Sequence, residues 1–176
     1  MTVDARQLLV LRHAKSAWDT AVVSDFDRPL SKRGKRDAPR LGGWLRQQGL
    51  VPDLVVSSPA KRARKTTTKV CRELGIPKQE ICWEPRIYGA TTETLVQVLS
   101  ECRSDAAIVL LVGHNPGLED LLDYLCGDDH LVPTDGKLLP TAALARLRVT
   151  AEWKYLEPNC ATLVSIMRPS SLPDHD

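Results

Sequence analysis

Short apolar runs alternate along this chain with longer segments in which the apolar residues recur at helical spacing. An apolar run between polar or turn residues is typical of a strand buried in a sheet, whereas the longer segments are typical of helices packed on that sheet. Strands are predicted at residues 8–11, 54–57, 81–83 and 108–112, with a possible hairpin pair at 142–149 and 160–167. This alternation predicts an α/β fold.

Capping residues divide the intervening segments into four predicted helices. The helices begin at Ser31, at Ser58 with Pro59, at Thr92, and at Asn115 with Pro116. Serine and threonine side chains bond free amides at a helix start, and proline fits the first turn. The first, second and fourth helices are predicted to end at Gly49, Gly75 and Gly127.

Length and composition indicate a single domain. With 176 residues, 43% of them hydrophobic, the chain can build one sizeable core but hardly two. Residues 1–168 are predicted to form that domain. Residues 169–176 are rich in Pro, Ser and Asp and are predicted to be a disordered tail.

Charge and cysteine content narrow the possible partners and the compartment. A net charge of +2 and a pI near 8.3 are too mild to indicate nucleic acid or an anionic membrane. The basic run at 61–72 lacks interleaved aromatic residues, so apart from Arg62 it is interpreted as a solvated helix face that can attract an acidic partner. Five cysteines without a Cys-x-x-Cys pair favour reduced thiols in the cytoplasm. The apolar run at 8–11 is too short for a signal peptide or a membrane span.

Polar residues, two histidines and two arginines among them, follow three of the predicted strands at their carboxyl ends. Arg12 and His13 follow the first strand. Arg62 comes soon after the second, and His114 follows the strand at 108–112. Open parallel sheets bind ligands beyond the carboxyl ends of their strands. A single histidine there is usually a packed residue, but two histidines and two arginines at matching places predict a shared site.

These side chains suit the transfer of a phosphoryl group. A neutral imidazole attacks phosphorus and forms a covalent intermediate, and His13 is the predicted nucleophile. Its other ring nitrogen should then donate to a backbone carbonyl or a similar acceptor, which fixes the tautomer. Arg12 and Arg62 are predicted to bind the phosphoryl oxygens through their planar forks, and His114 to donate to the same oxygens. Because these groups can supply what a metal ion supplies elsewhere, neither a metal nor a cofactor is expected.

Residues close to the predicted nucleophile have supporting roles. Lys15 and Ser16 follow His13 and are predicted to contact the substrate. Trp18 is expected to pack against the loop rather than to recognise a ligand. Asp25, Asp27 and Arg28 could form a local ion pair with a structural role, and a place for Arg28 near the pocket stays open.

The motifs around these residues resemble those of the histidine phosphatase superfamily. They are Leu-Arg-His-Ala at 11–14, Ser-Pro-Ala-Lys-Arg-Ala at 58–63 and Val-Gly-His-Asn-Pro at 112–116. Further matches at 27–31, Gly34 and 87–90 extend the resemblance over roughly residues 8–126. Any one motif recurs by chance, but together they are specific. The resemblance is to the short, SixA-like branch, which is associated with phosphohistidine phosphatases.

This resemblance implies a fold and a set of roles. The fold would be phosphoglycerate mutase-like, a single three-layer domain with a mostly parallel central sheet flanked by helices. His13 would be the nucleophile, with Arg12, Arg62 and His114 forming the phosphate pocket. The implied activity is that of a metal-independent, cytoplasmic histidine phosphatase that removes phosphate from phosphohistidine in proteins.

Two positions depart from the superfamily pattern. Ala14 stands where the common motif has Gly, so the backbone there is expected to have ordinary dihedral angles. Asn115 stands where acid phosphatases of the superfamily carry Asp, and Glu84 and Glu93 are weak substitutes for a general acid. The absence of a general acid slows the reaction most for substrates with poor leaving groups. Phosphohistidine, whose imidazole can be protonated from solvent, therefore suits this site better than an alkyl phosphate.

Three other functions stay open on the sequence. A small-metabolite phosphomonoesterase or mutase could share the scaffold, because a phosphate pocket does not decide the substrate. A noncatalytic phosphate-binding module is disfavoured by the presence of His13 with both arginines. A metal site at His13 and His114 ranks last, because the residues beside them supply no carboxylate. The predicted partner is a phosphorylated protein or a small phosphorylated substrate, and the sequence predicts no oligomeric state.

Overall fold

The computed structural model of the chain describes residues 5–18, 21, 24–128 and 133–174. Its strands are β1 (Arg6–Arg12), β2 (Leu54–Ser57), β3 (Ile81–Trp83), β4 (Ile108–Gly113), β5 (Leu144–Val149) and β6 (Ala161–Met167). Its α-helices are α1 (Lys32–Gln47), α2 (Lys61–Leu74), α3 (Thr92–Ser100) and α4 (Gly117–Cys126). The predicted strands and helices are all confirmed, with small differences at their ends.

The strands form one sheet in the order β3-β2-β4-β1-β5-β6. Strands β1 to β4 run parallel to one another, while β5 pairs antiparallel to β1 and β6 antiparallel to β5. Strands β1 and β4 lie at the centre, and their register runs from Gln7 opposite Ile108 to Arg12 opposite Gly113. Their carboxyl ends therefore emerge side by side, and the prediction of a mostly parallel sheet is confirmed.

Alternate residues of β1 point to opposite faces of the sheet, and each face carries its own core. Leu9 belongs to a cluster that includes Leu41 and other residues of α1 and α2. Leu8 belongs to a second cluster that includes Leu118 and other residues of α3 and α4. These four leucines are fully buried, and burying each one contributes about 1.5–3 kcal/mol. Helices thus cover both faces of the sheet, which gives the expected three layers.

The start of α1 is joined to the loop that follows β1. Ser31 caps the helix as predicted, because its hydroxyl accepts the amide of Gly34 over 3.1 Å. The same hydroxyl donates to the carbonyl oxygen of Lys15 over 3.0 Å. A side chain at position 34 would collide with that carbonyl, so this close approach requires glycine. The loop carrying Lys15 is therefore held against the helix.

The prediction that Ser58 and Pro59 start α2 is wrong. The helix begins at Lys61, with Ala60 in the capping position and no side-chain cap. The Ser58 hydroxyl bonds Nε2 of His114 over 2.7 Å, a partner that lies far away in the chain. The hydroxyl that the local sequence assigns to a helix cap therefore makes a tertiary hydrogen bond instead.

The segment after β6 differs from the predicted disordered tail. Pro169–Ser171 form a 3-10 helix, and Leu172 is buried in the cluster that contains Leu41. The Arg40 guanidinium donates to the carbonyl oxygen of Leu172 over 2.8 Å. An apolar anchor and a long-range hydrogen bond thus order residues that composition alone assigns to a tail. Residues 175 and 176 lie outside the described residues.

The structure also gives the state of the cysteines and the length of the apolar helices. The five cysteines are free thiols, with Cys71 buried and Cys82 exposed. Within the described ranges, no helix is both long enough and apolar enough to cross a membrane.

Candidate active site

The two predicted histidines meet where the central strands end. His13 directly follows β1, and His114 directly follows β4. The amide of His13 donates to the carbonyl oxygen of Gly113 over 3.1 Å, which extends the pairing of the two strands by one residue. The imidazole centroids of His13 and His114 are 5.1 Å apart. The predicted convergence at this edge of the sheet is confirmed.

The tautomer of His13 follows from its hydrogen bonds. Its Nδ1 lies 2.8 Å from the carbonyl oxygen of Ala14, and a carbonyl can only accept, so Nδ1 carries the proton. Nε2 accepts the Nε–H of Arg62 over 3.3 Å. Burial, followed by the nearby charges of His114, Arg62 and Arg12, lowers the pKa of His13 to about 3. At neutral pH the ring therefore presents an unprotonated Nε2 to the site.

Ala14 holds His13 in place through its backbone. The amide of Ala14 donates to Oγ1 of Thr66 over 3.0 Å, and the Thr66 hydroxyl donates to the carbonyl oxygen of Arg62 over 2.7 Å. Ala14 has no positive φ, so the expectation of an ordinary backbone at this departure from the family motif is confirmed. Sequence reasoning missed Thr66, which looks like one of several threonines on a helix. It links the histidine loop to the first turn of α2.

Arg62 makes a different set of contacts from the one predicted. Its side chain is almost fully buried, and its Nε faces His13. Its terminal nitrogens Nη1 and Nη2 donate to the backbone carbonyl and to Oδ2 of Asp25, over 2.7 and 2.9 Å. The edge that faces the nucleophile is thus Nε, whereas the terminal fork is bonded to Asp25.

Arg12 lies at the end of β1 with much of its guanidinium inside the protein. Its Nη1 donates to the carbonyl oxygen of Leu139 over 3.3 Å, while its buried Nε has no hydrogen-bond partner within the described residues. Burial lowers the pKa of Arg12, and the charge of Glu119 opposes that shift. Glu119 also accepts the amides of Leu139 and of the Asn115 side chain, over 2.9 and 3.0 Å. Sequence reasoning missed Glu119, which anchors the loop beneath Arg12.

His114 is oriented by Ser58. The Ser58 oxygen accepts the amide of Ala60 over 3.2 Å, and its own proton can be donated to Nε2 of His114. In that arrangement Nδ1 of His114 carries the ring proton, and it is buried with no partner within the described residues. Burial and the charge of Arg62 lower the pKa of His114 to about 4. The ring is therefore neutral near pH 7, and its second ring nitrogen is buried without a hydrogen-bond partner among the described residues.

Asp25, Phe26 and Tyr88 form the rim of the site, a name we keep for these three residues. The Tyr88 hydroxyl donates to Oδ2 of Asp25 over 2.7 Å, and this oxygen also accepts from Arg62. The Tyr88 ring lies 5.4 Å from the His114 ring and 5.1 Å from the Phe26 ring, both in edge geometry. Hydrogen bonds from Tyr88, Arg62 and Arg28 hold the pKa of Asp25 well below its usual range. The sequence predicts no role for Tyr88 and only a local ion pair for Asp25.

Lys15 and Ser16, the predicted substrate contacts, lie on the loop after His13. Ser16 is buried, and its hydroxyl accepts from Nη2 of Arg28 over 2.6 Å. Arg28 also pairs with Asp25 over 3.1 Å, as predicted. The Arg28 guanidinium lies 3.5 Å from the ring centroid of Trp18, while 74% of the tryptophan surface is exposed, so the ring stacks on Arg28 without being packed into the loop. The Lys15 side chain is exposed, and its contact with a substrate stays a prediction.

Neither of the weak candidates for a general acid reaches the histidines. Glu84 accepts from Arg86 over 3.0 Å, and this bond lowers the pKa of the carboxyl group. Glu93 lines a separate groove with Gln97 and Lys154. Within residues 5–18, 21, 24–128 and 133–174, no group of three or more His, Cys, Asp or Glu side chains could hold a metal ion.

Five cations line a groove between α1 and α2, which we call the basic groove. Its volume is about 680 Å³. The cations are Lys35, Lys61, Lys65, Lys69 and Arg72. Lys61, Lys65 and Arg72 are exposed, as expected for a solvated face. None of the five is paired with a carboxylate of the described residues, so the groove keeps its positive charge.

Comparisons with known proteins agree with this geometry. The family model of the histidine phosphatase superfamily (branch 1) matches residues 8–83. An uncharacterized protein of Mycobacterium tuberculosis strain H37Rv is 36% identical over 163 residues, which cover 90% of this chain and 99% of that protein. Phosphohistidine phosphatase SixA of Escherichia coli K12 is 29% identical over 121 residues, which cover 68% of this chain and 74% of that protein.

A solved structure has nearly the same fold. It is a candidate phosphohistidine phosphatase SixA from Nakamurella multipartitia, 28% identical, with a TM-score of 0.81 over 95% of this chain and 98% of that one. The expected fold and the resemblance to the SixA-like branch are confirmed. Sequence, fold and the meeting of two histidines with two arginines lead to one assignment: the chain belongs to the histidine phosphatase superfamily.

Proposed function

We propose that this chain is a metal-independent phosphatase that removes phosphate from phosphohistidine in proteins through a covalent intermediate on His13. The observation that carries the proposal is the state of the His13 ring. Its Nδ1 proton is held by the Ala14 carbonyl, and its Nε2 lone pair faces the site beside Arg62. An imidazole fixed in this tautomer is ready to attack phosphorus without first losing a proton.

Three groups around Nε2 can bind the transferring phosphoryl group. Nε of Arg62 donates to Nε2 of His13, so it lies beside the nitrogen that attacks phosphorus. Nε of Arg12 and Nδ1 of His114 are buried donors without a partner among the described residues. Donors fixed before the reaction stabilise the charge on the equatorial oxygens at no reorganisation cost. We assign these three side chains to phosphoryl binding.

The reaction then has two steps. Nε2 of His13 bonds to phosphorus as the bond from phosphorus to the leaving nitrogen breaks, and the electron pair of that bond goes to the departing imidazole. Water next attacks the phosphorus, the electron pair of the P–Nε2 bond returns to His13, and dihydrogen phosphate leaves and ionises in solvent. In both steps the Ala14 carbonyl keeps the proton on Nδ1.

The carboxylates near the site favour a leaving group that needs no strong acid. Asp25 stays ionised because three donors bond it, and Glu84 is bonded to Arg86. An alkyl phosphate leaves as an alkoxide and requires a proton from the protein, whereas an imidazole protonated on its distal nitrogen leaves as a neutral ring. The name of the Escherichia coli relative, phosphohistidine phosphatase, supports the same substrate class.

The basic groove supports a protein as the phosphate donor. It begins at Lys61, the residue next to Arg62, and carries uncompensated positive charge along α2. The electrostatic field of five such cations attracts an acidic protein surface. A metabolite is too small to contact all five of them. We assign the groove to binding an acidic part of the phosphorylated protein. The free cysteines support the cytoplasm as the compartment.

A panel of donors tests the proposal. Phosphohistidine peptide, phosphorylated carrier protein, sugar phosphates, nucleotides and an aryl phosphate are offered in parallel, with and without EDTA. We expect the highest kcat/KM for the phosphohistidine donors and no effect of EDTA, because arginine and histidine supply the charge stabilisation. A preference for sugar phosphates would favour the metabolite phosphatase or mutase. Loss of activity in EDTA, restored by a divalent ion, would contradict the metal-free reaction.

A further inference from the structure

The rim places an anion next to a pocket built for another anion. Oδ2 of Asp25 lies 2.9 Å from Nη2 of Arg62, and Arg62 itself contacts His13. A carboxylate in this position repels a phosphoryl dianion and so weakens phosphate binding. Phosphate recognition therefore does not account for Asp25.

Several contacts hold the Asp25 carboxylate at the site instead of letting it turn to solvent. Arg28 bonds Oδ1, while Tyr88 and Arg62 both bond Oδ2. These donors keep the group ionised, so it is not a general acid. Its side chain is still half exposed, so it has acceptor capacity left for a further donor.

Aromatic rings stand beside this carboxylate. Phe26 and Tyr88 leave 36% and 37% of their surfaces exposed, and their rings meet edge to face. Tyr88 also contacts the ring of His114, which joins the rim to the phosphate pocket. Aromatic surface next to a carboxylate is the environment that binds a flat cation. A protonated imidazole is such a cation.

We propose that the rim is a leaving-group subsite: Asp25 accepts the distal N–H of the donor's phosphorylated imidazole, and Phe26 and Tyr88 contact its ring. The inference rests on the proposed phosphohistidine substrate and deepens it. Asp25 is then a specificity-determining residue that acts on the leaving group.

The proposed contact matches the change in charge on the donor ring during the reaction. The donor ring carries a proton on the nitrogen that is not phosphorylated and is therefore an imidazolium. When Nε2 of His13 bonds to phosphorus, the bond from phosphorus to the donor nitrogen breaks and its electron pair neutralises that ring. Asp25 holds the proton on the distal nitrogen throughout, so the ring departs as imidazole and not as imidazolate. The carboxylate thus keeps the better leaving group in place without transferring a proton itself.

Two small substrates with the same phosphoryl group test this role. N-phosphoimidazole and p-nitrophenyl phosphate are compared by kcat/KM, after subtraction of spontaneous hydrolysis, for wild type, Asp25→Asn, Tyr88→Leu and Asp27→Asn. Asp27 is the matched control, because it lies two residues from Asp25 and bonds Ser24. We expect Asp25→Asn to lower the kcat/KM for N-phosphoimidazole, divided by the kcat/KM for p-nitrophenyl phosphate, by about tenfold or more. Tyr88→Leu should lower it in the same direction, and Asp27→Asn should leave it within about twofold.

The ratio separates this inference from its alternatives. Any disturbance of Arg62 would slow both substrates together and leave the ratio unchanged. An unchanged ratio in Asp25→Asn, or in Tyr88→Leu if melting curves reveal that Asp25→Asn is unfolded, overturns the leaving-group subsite. If the wild-type protein hydrolyses neither N-phosphoimidazole nor phosphohistidine peptide, that result contradicts the proposed function instead.

Discussion

Nε of Arg62 donates to Nε2 of His13 over 3.3 Å. The guanidinium therefore faces the nitrogen that we assign as nucleophile. A fixed positive charge at this distance disfavours a second proton on the ring, and together with burial it keeps the imidazole neutral. The same Nε–H can pass to a phosphoryl oxygen when substrate arrives, so one side chain both preserves the nucleophile and binds the group it attacks.

Trapping during turnover should place phosphate on His13. The expected product is a phosphoramidate on Nε2, which is labile in acid and survives alkali, the opposite of an acyl phosphate on Asp or Glu. Rapid quenching followed by peptide mapping at high pH locates the label. His13→Ala should carry none. Turnover by His13→Ala at a rate comparable to wild type would rule out the covalent step.

His114→Ala should still form the intermediate, but slowly. The substitution leaves Nε2 of His13 in place and removes one donor to the phosphoryl oxygens. We expect formation and breakdown of the label to slow by about a hundredfold. Single-turnover kinetics measure both steps. A variant with normal rates would mean that His114 does not contact the phosphoryl group.

Arg62→Lys should lower kcat/KM by tens of fold, or about 2 kcal/mol, because lysine lacks a donor that reaches Nε2 of His13 while also bonding Asp25. The control is Arg64→Lys on the same helix, since Arg64 lies over the ring of Trp83 and bonds Pro59. Melting temperatures of both variants confirm that the samples are folded. A rate for Arg62→Lys equal to that of Arg64→Lys would remove Arg62 from phosphoryl binding.

Stability should fall as the pH drops below about 6.5. His13 and His114 have folded-state pKa values of about 3 and about 4, against an ordinary pKa of 6.5 for histidine. Between these values and pH 6.5 the unfolded chain binds more protons than the folded one, so lowering the pH favours unfolding. Above pH 6.5 both states are neutral at these positions and the effect disappears.

Urea unfolding from about pH 7 to about pH 5 measures this dependence. His114→Asn removes one of the two buried imidazoles, so the slope of the unfolding free energy against pH should become shallower by up to about 1.4 kcal/mol per pH unit. Identical slopes for wild type and His114→Asn would mean that His114 titrates normally in the folded protein.

Reversing charge in the basic groove should affect protein donors selectively. Lys65→Glu with Lys69→Glu should lower kcat/KM for a phosphorylated carrier protein by about tenfold at low salt and leave an aryl phosphate unchanged. Salt should reduce the difference, because it screens exposed charges. Arg148→Glu with Lys154→Glu changes the net charge equally at residues that do not line the groove, and serves as the control. Equal losses in the two pairs, or equal losses with both substrates, would contradict a docking role.

Much of the phosphate pocket could be read from local patterns. Arg12, His13 and His114 directly follow buried apolar runs, and neighbouring parallel strands bring their carboxyl ends to one edge of a sheet. The tautomer of His13 was also predictable, because a nucleophilic ring nitrogen requires a donor partner for the other. These features depend on the position of the strands, which the apolar runs indicate, and on the chemistry of the residues that follow them.

The partners of these residues depend on contacts between distant loops. Asp25 meets Arg62 across 37 positions and Tyr88 across 63, and Ser58 meets His114 across 56. Asp25 and Tyr88 lie outside the α-helices and strands, where no periodic pattern predicts direction. At Ser58 the sequence predicted a cap, since that is the local use of a serine hydroxyl. In the folded protein the same hydroxyl bonds Nε2 of His114, because only the tertiary structure brings that buried ring nitrogen, which needs a partner, within reach of Ser58.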